Sequence, residues 1–254
     1  TEYYKLKAEG AFKDQPFATS YRYQRFIKDY LRCVAGIDDN VGRVLDWLKD
    51  NNLEENTIVV YSSDQSYYIG EHGWAEKRWM YEESLRMPFI ISWPVKFKSA
   101  SHLPQMIQNI DYAPTFLEAA GVQIPKEIQG KSLIPMMIRG NEAKEVRDSI
   151  YYHYYHHGAH NVPRHDGVRT ERYKLIHFYT DDKYELYDLK QDPNEVKNLY
   201  NNPEYTEIRE KMQLELNSQR SNYEVPQDTF QAPFAYQARK PAPKKKKPAR
   251  KNKK

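Results

Sequence analysis

The sequence has a single cysteine, Cys33, among its 254 residues, so it cannot form an internal disulfide. It has no apolar run long enough to span a bilayer, and no signal peptide is recognisable at its start. The first residue is Thr1 rather than methionine, and we expect that something upstream has been removed or omitted. These absences exclude a disulfide-stabilised scaffold and leave the compartment open.

Acidic residues are missing from the last segment, Arg239–Lys254, which holds ten basic ones. Without those ten charges the formal net charge falls from +4 to −6, so a mildly acidic body carries a basic tail. Pro, Ala and Lys dominate from about Gln227, and we expect residues 227–254 to be disordered. Because no aromatic residue follows Tyr236, base stacking is not expected, and any polyanion would bind through salt-sensitive charge alone.

Apolar periodicity predicts a long helix over residues 20–50, followed by a buried β-branched strand at 57–61. A second strand is predicted at 88–93, and a later helix is expected to start with Asp111 as its N-cap. A helix that leads into a buried strand is typical of an α/β fold with a parallel sheet. The apolar positions of the first helix are Phe26, Tyr30, Leu31, Val34, Ile37, Val41, Val44, Leu45 and Leu48.

The composition changes around residues 140–148, where short aromatic runs separated by turns begin. These runs, at 150–155, 167–170, 173–179 and 184–188, predict a small antiparallel sheet, which a helix over about 203–219 closes. We therefore expect a large domain over residues 1–143, a small domain over 144–226 and the tail over 227–254.

Two oxygen-bearing side chains, Asp64 and Gln65, stand where the first predicted strand ends. In open α/β sheets ligands bind beyond the carboxyl ends of strands, and carboxylate and amide oxygens suit Ca²⁺ or Mg²⁺. Two ligands do not complete a site, so the alternative for this pair is an ordinary turn.

Two basic residues close by could serve an anion. Lys77 has no apolar role and could hold phosphate or sulfate as a point charge, although most single lysines are simply solvated. His72, in the turn Gly70–Gly73, could bind an anion or donate a proton, or could only stabilise the turn. Glu82 and Glu83 are expected to be structural, with one of them pairing with Arg86 at helical spacing.

Taken as a set, these motifs resemble the type I (formylglycine-dependent) sulfatases of the alkaline phosphatase superfamily. Asp64-Gln65 matches the family's metal pair, and Lys77 matches its sulfate-contacting lysine, which lies four residues before a Tyr-Glu pair. The resemblance covers roughly residues 20–200 and is greatest to the heparan-sulfatase or N-sulfoglucosamine-sulfohydrolase branch. The other matching segments are 30–45, 109–115, 120–122, 129–133, 164–176, 185–189 and 192–195.

The resemblance implies the C-terminal part of an alkaline-phosphatase-like α/β sandwich, plus a small antiparallel-sheet subdomain with a helix. It implies a sulfuric ester hydrolase acting on sulfated sugars, with Ca²⁺ (Mg²⁺ is possible) at Asp64 and Gln65 and with Lys77 as a catalytic residue. His165, Arg169 and His72 would contact the substrate, although His165 could equally be a turn histidine. The resemblance also implies a periplasmic or secreted protein, with no specific nucleic acid and no membrane span.

The sequence departs from the family pattern at two points. Ser66 follows the metal pair where a glycine is expected, and the motif Cys/Ser-x-Pro-x-Arg, whose first residue becomes formylglycine, does not occur. The chain therefore resembles the C-terminal half of a sulfatase, with the nucleophile expected upstream, and we expect it to be inactive alone. Two alternatives stay open, a phosphate or phosphonate ester hydrolase of the same superfamily and a non-catalytic polyanion-binding remnant.

The histidine-rich run at 151–160, YYHYYHHGAH, could be mistaken for a metal tract. Neighbouring residues of a strand point to opposite faces, so we expect aromatic packing and substrate lining there instead.

Overall fold

A computed structural model describes residues 15–97, 102–143, 146–156 and 162–226. The helices are α1 (Gln15–Asp50), α2 (Glu82–Leu85), α3 (Tyr112–Ala119), α4 (Ile134–Arg139) and α5 (Thr206–Asn222). The strands are β1 (Val59–Ser62), β2 (Tyr68–Ile69), β3 (Ala75–Glu76), β4 (Phe89–Ser92), β5 (Ser149–Tyr154), β6 (His165–Thr170), β7 (Tyr173–Phe178) and β8 (Lys183–Asp188). Short 3₁₀ helices lie at Glu54–Asn56, Glu71–Gly73, Asn109–Asp111, Gly140–Glu142 and Pro203–Tyr205.

The chain divides into two compact units, each of which is formed by several separate segments of the sequence. The first takes the chain up to Lys77 together with Glu83–Gln105 and Asn109–Lys144. The second takes Arg78–Glu82, Met106–Gln108 and the described residues after position 145. The expected domain limits therefore stay a prediction. The segments Arg78–Glu82 and Met106–Gln108 belong to the second unit although the residues on both sides of them belong to the first, and composition does not signal this. No helix among the described residues is both long and apolar enough to cross a membrane.

In the first unit, the predicted helix over 20–50 is confirmed as α1, which runs for 36 residues. Its apolar stripe is mostly uncovered, since Leu31 is 56% exposed and Val44 57%, whereas Leu48 is only 9% exposed. Tyr67 packs on Tyr30, near the middle of the helix, with ring centroids 6.2 Å apart. Helical periodicity therefore predicted the element correctly, but most of the stripe has no covering layer among the described residues.

The two strands predicted in the first unit form a pair, but the predicted parallel arrangement is wrong for them. β1 and β4 run antiparallel, with Val59 opposite Ser92 and Ser62 opposite Phe89. Parallel neighbours need a crossover connection, usually a helix packed on the sheet. The segment between β1 and β4 instead contains the small β2–β3 hairpin and only one turn of helix, so the chain returns antiparallel.

Asp111 precedes α3 as predicted, but its side chain does not cap that helix. Its carboxylate accepts a hydrogen bond from the Lys131 main-chain N–H at 2.8 Å. The Thr115 hydroxyl likewise accepts from the Leu133 N–H at 2.9 Å. Both side chains thus tie the segment before α4 to α3, and this tertiary use of Asp111 displaces the local capping bond.

The second unit is built on a four-stranded antiparallel sheet in the order β5-β6-β7-β8. The four predicted strands and the closing helix are therefore present, with bounds shifted by a few residues. α5 covers one face of this sheet, and its Met212 and Leu216 pack against apolar residues of the strands. The buried strand and loop residues of this core are Val168, Leu175, Leu186 and Leu199.

The opposite face of the sheet is covered by the segment Arg78–Glu82, which we call the strap. Register places Gly167 opposite Ile176, and Ile176 opposite Glu185, so these side chains share the face away from α5. Met80 of the strap is fully buried, and a Cβ added to Gly167 would lie 2.4 Å from its Sδ atom. Gly167 is therefore required at this position because the strap lies against the sheet.

Candidate functional site

Asp64 and Gln65 lie in the turn that follows β1. The Gln65 Nε2 amide donates to the Ser84 hydroxyl at 3.5 Å, and the Ser66 N–H donates to the Ser84 carbonyl at 3.1 Å. Asp64 is exposed, and its Oδ1 atom accepts only a long 3.4 Å bond from the Ser63 hydroxyl. Ser66 is not among the residues with positive φ, so the position does not require the expected glycine.

This pair fits part of a cation site. The Asp64 carboxylate has no cationic partner among the described residues, and together with the Gln65 amide it offers hard oxygen donors. Ca²⁺ takes six to eight oxygens. In the part of the chain that the structure describes, no group of three or more His, Cys, Asp or Glu residues could hold a metal ion. Asp64 and Gln65 would therefore supply two ligands of a larger set.

The chain between the metal pair and Lys77 is bent by an unusual series of backbone angles. φ is positive at Gly70 (131°), His72 (53°), Gly73 (74°), Glu76 (77°) and Arg78 (99°). A positive φ is energetically unfavourable for residues other than glycine, and it persists only where the surrounding structure imposes it. Two strained residues therefore flank the candidate catalytic lysine directly.

His72 is held by its own surroundings in the first unit. Its Nε2 atom lies 3.4 Å from a carboxylate oxygen of Glu83. Its ring packs edge-on against Tyr68, with centroids 6.2 Å apart. Glu83 therefore lies close to His72, and its structural role stays a prediction.

Lys77 is half-buried at the end of this bent segment. Among the described residues its ammonium group makes no hydrogen bond and no ion pair. A partly shielded cation without a counter-charge attracts an anion more strongly than a solvated surface lysine does. This geometry favours the anion-binding interpretation over the simple surface one.

Arg169, a candidate for substrate contact, lies in the second unit on the strap face of β6. Its guanidinium Nε and Nη2 atoms donate to the two carboxylate oxygens of Glu82 at 3.3 and 3.2 Å. Glu82 also lies 2.8 Å from the Lys174 ammonium, so it serves two cations. Burial alone would raise the pKa of Glu82, but the charges of Lys174 and Arg169 outweigh burial and lower the pKa to about 2.

His165, the other candidate in this unit, has no solvent exposure. Its Nδ1 atom lies 2.8 Å from the Pro163 carbonyl, and its ring stacks on Trp79 with centroids 6.0 Å apart. Burial lowers the pKa of His165 to about 4, so the ring is neutral at pH 7. The Nε2 atom is buried without a hydrogen-bond partner among the described residues. Because this atom is buried, a sugar would reach it only if the packing around the ring changed.

The second unit also has an open cleft of about 520 Å³, bordered by rings that include Trp79, Phe178 and Tyr200. The charged side chains at its edge are mainly the carboxylates Asp181, Asp182 and Glu185, against Lys183 alone. Such a negative rim disfavours a sulfated ligand.

Two buried charges that sequence reasoning missed lie beneath the strap. Lys174 and Glu195 have fully buried side chains, and their charged atoms are 2.7 Å apart as an ion pair. A signal was available, because Lys174 interrupts the apolar run Tyr173–Phe178. Charged residues are almost never fully buried unless they are paired, so a lysine inside such a strand predicts a buried partner.

Comparison with known proteins gives concordant matches. Residues 70–222 match the family "N-sulphoglucosamine sulphohydrolase, C-terminal", and residues 3–122 match the family "Sulfatase". An N-acetylglucosamine-6-O-sulfatase of Bacteroides thetaiotaomicron is 47% identical over 199 residues, which are 77% of this chain and 36% of that protein. A Delta 4,5-hexuronate-2-O-sulfatase of the same species is 30% identical over 190 residues, which are 73% of this chain and 39% of that protein.

A solved structure described as a complex with its substrate D-glucosamine-2-N,6-O-disulfate superposes with a TM-score of 0.84 at 40% identity. The match covers 91% of this chain and 47% of that one, so the chain spans less than half the length of these relatives. The mixed α/β first unit and the small antiparallel sheet with its helix thus have the alkaline-phosphatase-like fold that the motifs imply. The chain belongs to the sulfatase family of the alkaline phosphatase superfamily.

Proposed function

We propose that this chain is the C-terminal part of a sulfuric ester hydrolase that acts on sulfated glucosamine-type sugars. The proposal is carried by the Lys77 ammonium, which is half-buried and has no counter-charge within the described part of the chain. Lys77 stands at the position that resembles the family's sulfate-binding lysine. The similarity to an N-acetylglucosamine-6-O-sulfatase supports the sugar class. The exposed stripe of α1 supports packing against further polypeptide in the whole enzyme.

Asp64 and Gln65 would hold the cation, for which we propose Ca²⁺. When bound, that cation neutralises sulfate charge and lowers the pKa of the nucleophile. Lys77 would bind a sulfate oxygen and stabilise the charge that develops on it during transfer. His72, whose Nε2 atom lies 3.4 Å from a Glu83 carboxylate oxygen, would contact the substrate near the sulfate.

Arg169 and His165 remain candidates for contact with the sugar, but they differ in solvent exposure. Arg169 keeps 21% of its side chain exposed while it binds Glu82, so it could contact a ligand without unfolding the strap face. His165 has no solvent exposure, so the aromatic rings packed around it would first need to move. We propose that the whole enzyme is periplasmic or secreted, as the family resemblance implies.

The first experiment is to sequence the coding DNA upstream of Thr1 and to express the complete reading frame. We expect an in-frame Cys/Ser-x-Pro-x-Arg motif and release of sulfate from glucosamine-6-sulfate. A matched assay with phosphate and phosphonate monoesters tests the alternative, and preferred hydrolysis of either would refute the sulfatase assignment. Lys77→Met should then lower the turnover number, while Lys211→Met, at an exposed position of α5, serves as the matched lysine control.

A further inference from the structure

The strap stands out because all five of its residues are held by the second unit. The Tyr152 hydroxyl donates to the Arg78 carbonyl at 2.9 Å. Trp79 packs edge-on against Phe178, with centroids 5.9 Å apart, as well as on His165. This first half of the strap is therefore fixed both through its main chain and through an aromatic cluster.

The second half of the strap is held by burial and by charge. Met80 is fully buried against Gly167. The Tyr81 hydroxyl donates to Glu185 at 2.7 Å, and burial raises the pKa of Tyr81 well above its usual range, so it stays protonated. Glu82 completes the series with its bonds to Arg169 and Lys174.

The end of the strap belongs to a buried charge cluster, which consists of Glu82, Lys174 and Glu195. The Lys174 ammonium lies 2.8 Å from Glu82 and 2.7 Å from Glu195. The second oxygen of Glu195 accepts from the Glu82 main-chain N–H at 2.7 Å. Removing one member of such a buried cluster leaves an uncompensated charge, so the cluster holds the strap in one register.

This anchoring bears on Lys77 because the strap begins at the very next residue. Arg78 has φ of 99° and Glu76 has φ of 77°, so the main chain around Lys77 is strained on both sides. A strained segment relaxes unless contacts on each side prevent it. On the C-terminal side the described contacts are those of the strap, while Lys77 itself makes none.

We propose that Lys174 and Glu195 are positioning residues for catalysis, which act by anchoring the strap and so fix the conformation from which Lys77 binds sulfate. This inference rests on the proposed function of Lys77. It assigns a catalytic consequence to a buried cluster that touches no substrate. A displacement of about 1 Å at a catalytic group can cost roughly a hundredfold in rate, so loosening the strap should be measurable in kcat.

The test is a double-mutant cycle in the complete enzyme, with Glu195→Gln and Lys77→Met, and with glucosamine-6-sulfate as the probe. Glu195→Gln keeps the side-chain shape and removes the charge from the cluster. We expect it to lower kcat by about ten- to a hundredfold with a smaller change in KM. In the Lys77→Met background the same substitution should change kcat by less than about twofold, because the group that it positions is gone.

A matched control separates positioning from general destabilisation. Leu216 belongs to the core on the α5 side of the sheet, opposite the strap, and Leu216→Val would leave a small cavity there. It should leave kcat of the folded enzyme unchanged, and Lys174→Met should reproduce the effect of Glu195→Gln. Cleavage by trypsin after Lys77 and Arg78 should accelerate in the two cluster variants and not in Leu216→Val.

The outcomes are distinguishable. Additive losses in the cycle, or an equal loss of kcat in Leu216→Val, would overturn the positioning role and leave the sulfatase assignment intact. A wild-type enzyme without sulfatase activity would overturn the proposed function and, with it, this inference. Unchanged trypsin cleavage in the cluster variants would overturn the anchoring role of the cluster by itself.

Discussion

The neutral, buried His165 imidazole makes the stability of the second unit depend on pH. Burial lowers the pKa of His165 from 6.5 to about 4, against weaker raising effects of the Pro163 carbonyl and Asp166. Because the folded-state pKa is the lower one, the unfolded chain binds the proton first as pH falls. The contribution to stability is complete above pH 6.5 and is lost progressively as pH falls towards 4.

The magnitude follows from the two pKa values. Stability changes by about 1.4 kcal/mol for each pH unit over which only the unfolded chain binds the proton. Between pH 7 and pH 5 this applies only below pH 6.5, so the loss is about 2 kcal/mol. No discount for solvent screening is needed, because His165 has no exposure. The variant His165→Phe keeps an aromatic ring among Trp79, Tyr152 and Phe178 and removes the titrating group.

The assay is unfolding in guanidinium at pH 7 and pH 5, monitored by ¹⁹F NMR of 5-fluorotryptophan. Trp79 contacts His165 directly, so its resonance reports on this unit. We expect the wild-type protein to lose about 2 kcal/mol more than His165→Phe between the two pH values. Equal losses in the two proteins would refute the assignment of a buried, neutral His165.

Further changes test other parts of the structure. Arg220→Ala should cost about 3–5 kcal/mol in a denaturation assay, because its guanidinium binds the fully buried Asp166 at 2.7 Å through two nitrogens. The exposed Arg32→Ala, which removes a surface ion pair with Asp29, should cost less than about 1 kcal/mol. Gly167→Ala should destabilise the second unit by about 1–3 kcal/mol or more, because the added Cβ would clash with the Leu175 carbonyl and the Met80 side chain. Gly36 of α1 has open space around its Cβ position, so Gly36→Ala should be neutral or stabilising. Thermal melting measures both effects.

The secondary structure was largely determined by local sequence patterns. The period of about 3.6 residues in the first fifty residues specified α1, and alternation with turn residues specified β5 to β8, because these periods are properties of the local backbone. The motif around Asp64, Lys77 and the Tyr-Glu pair indicated the family. Burial did not follow from the same patterns, since the stripe of α1 is periodic and still exposed.

Tertiary structure decided the rest, because pairing partners distant in sequence leave no local signature. The antiparallel direction of β1 and β4 depends on the path between them, and Asp111 bonds to Lys131 rather than capping its own helix. Sequence spacing suggested that Glu82 could pair with Arg86, but the Lys174 ammonium lies 2.8 Å from the Glu82 carboxylate. Sequence motifs thus predicted Lys77 as a sulfate-binding lysine, which stays a prediction, whereas only the folded chain shows the contacts of the segment that follows it.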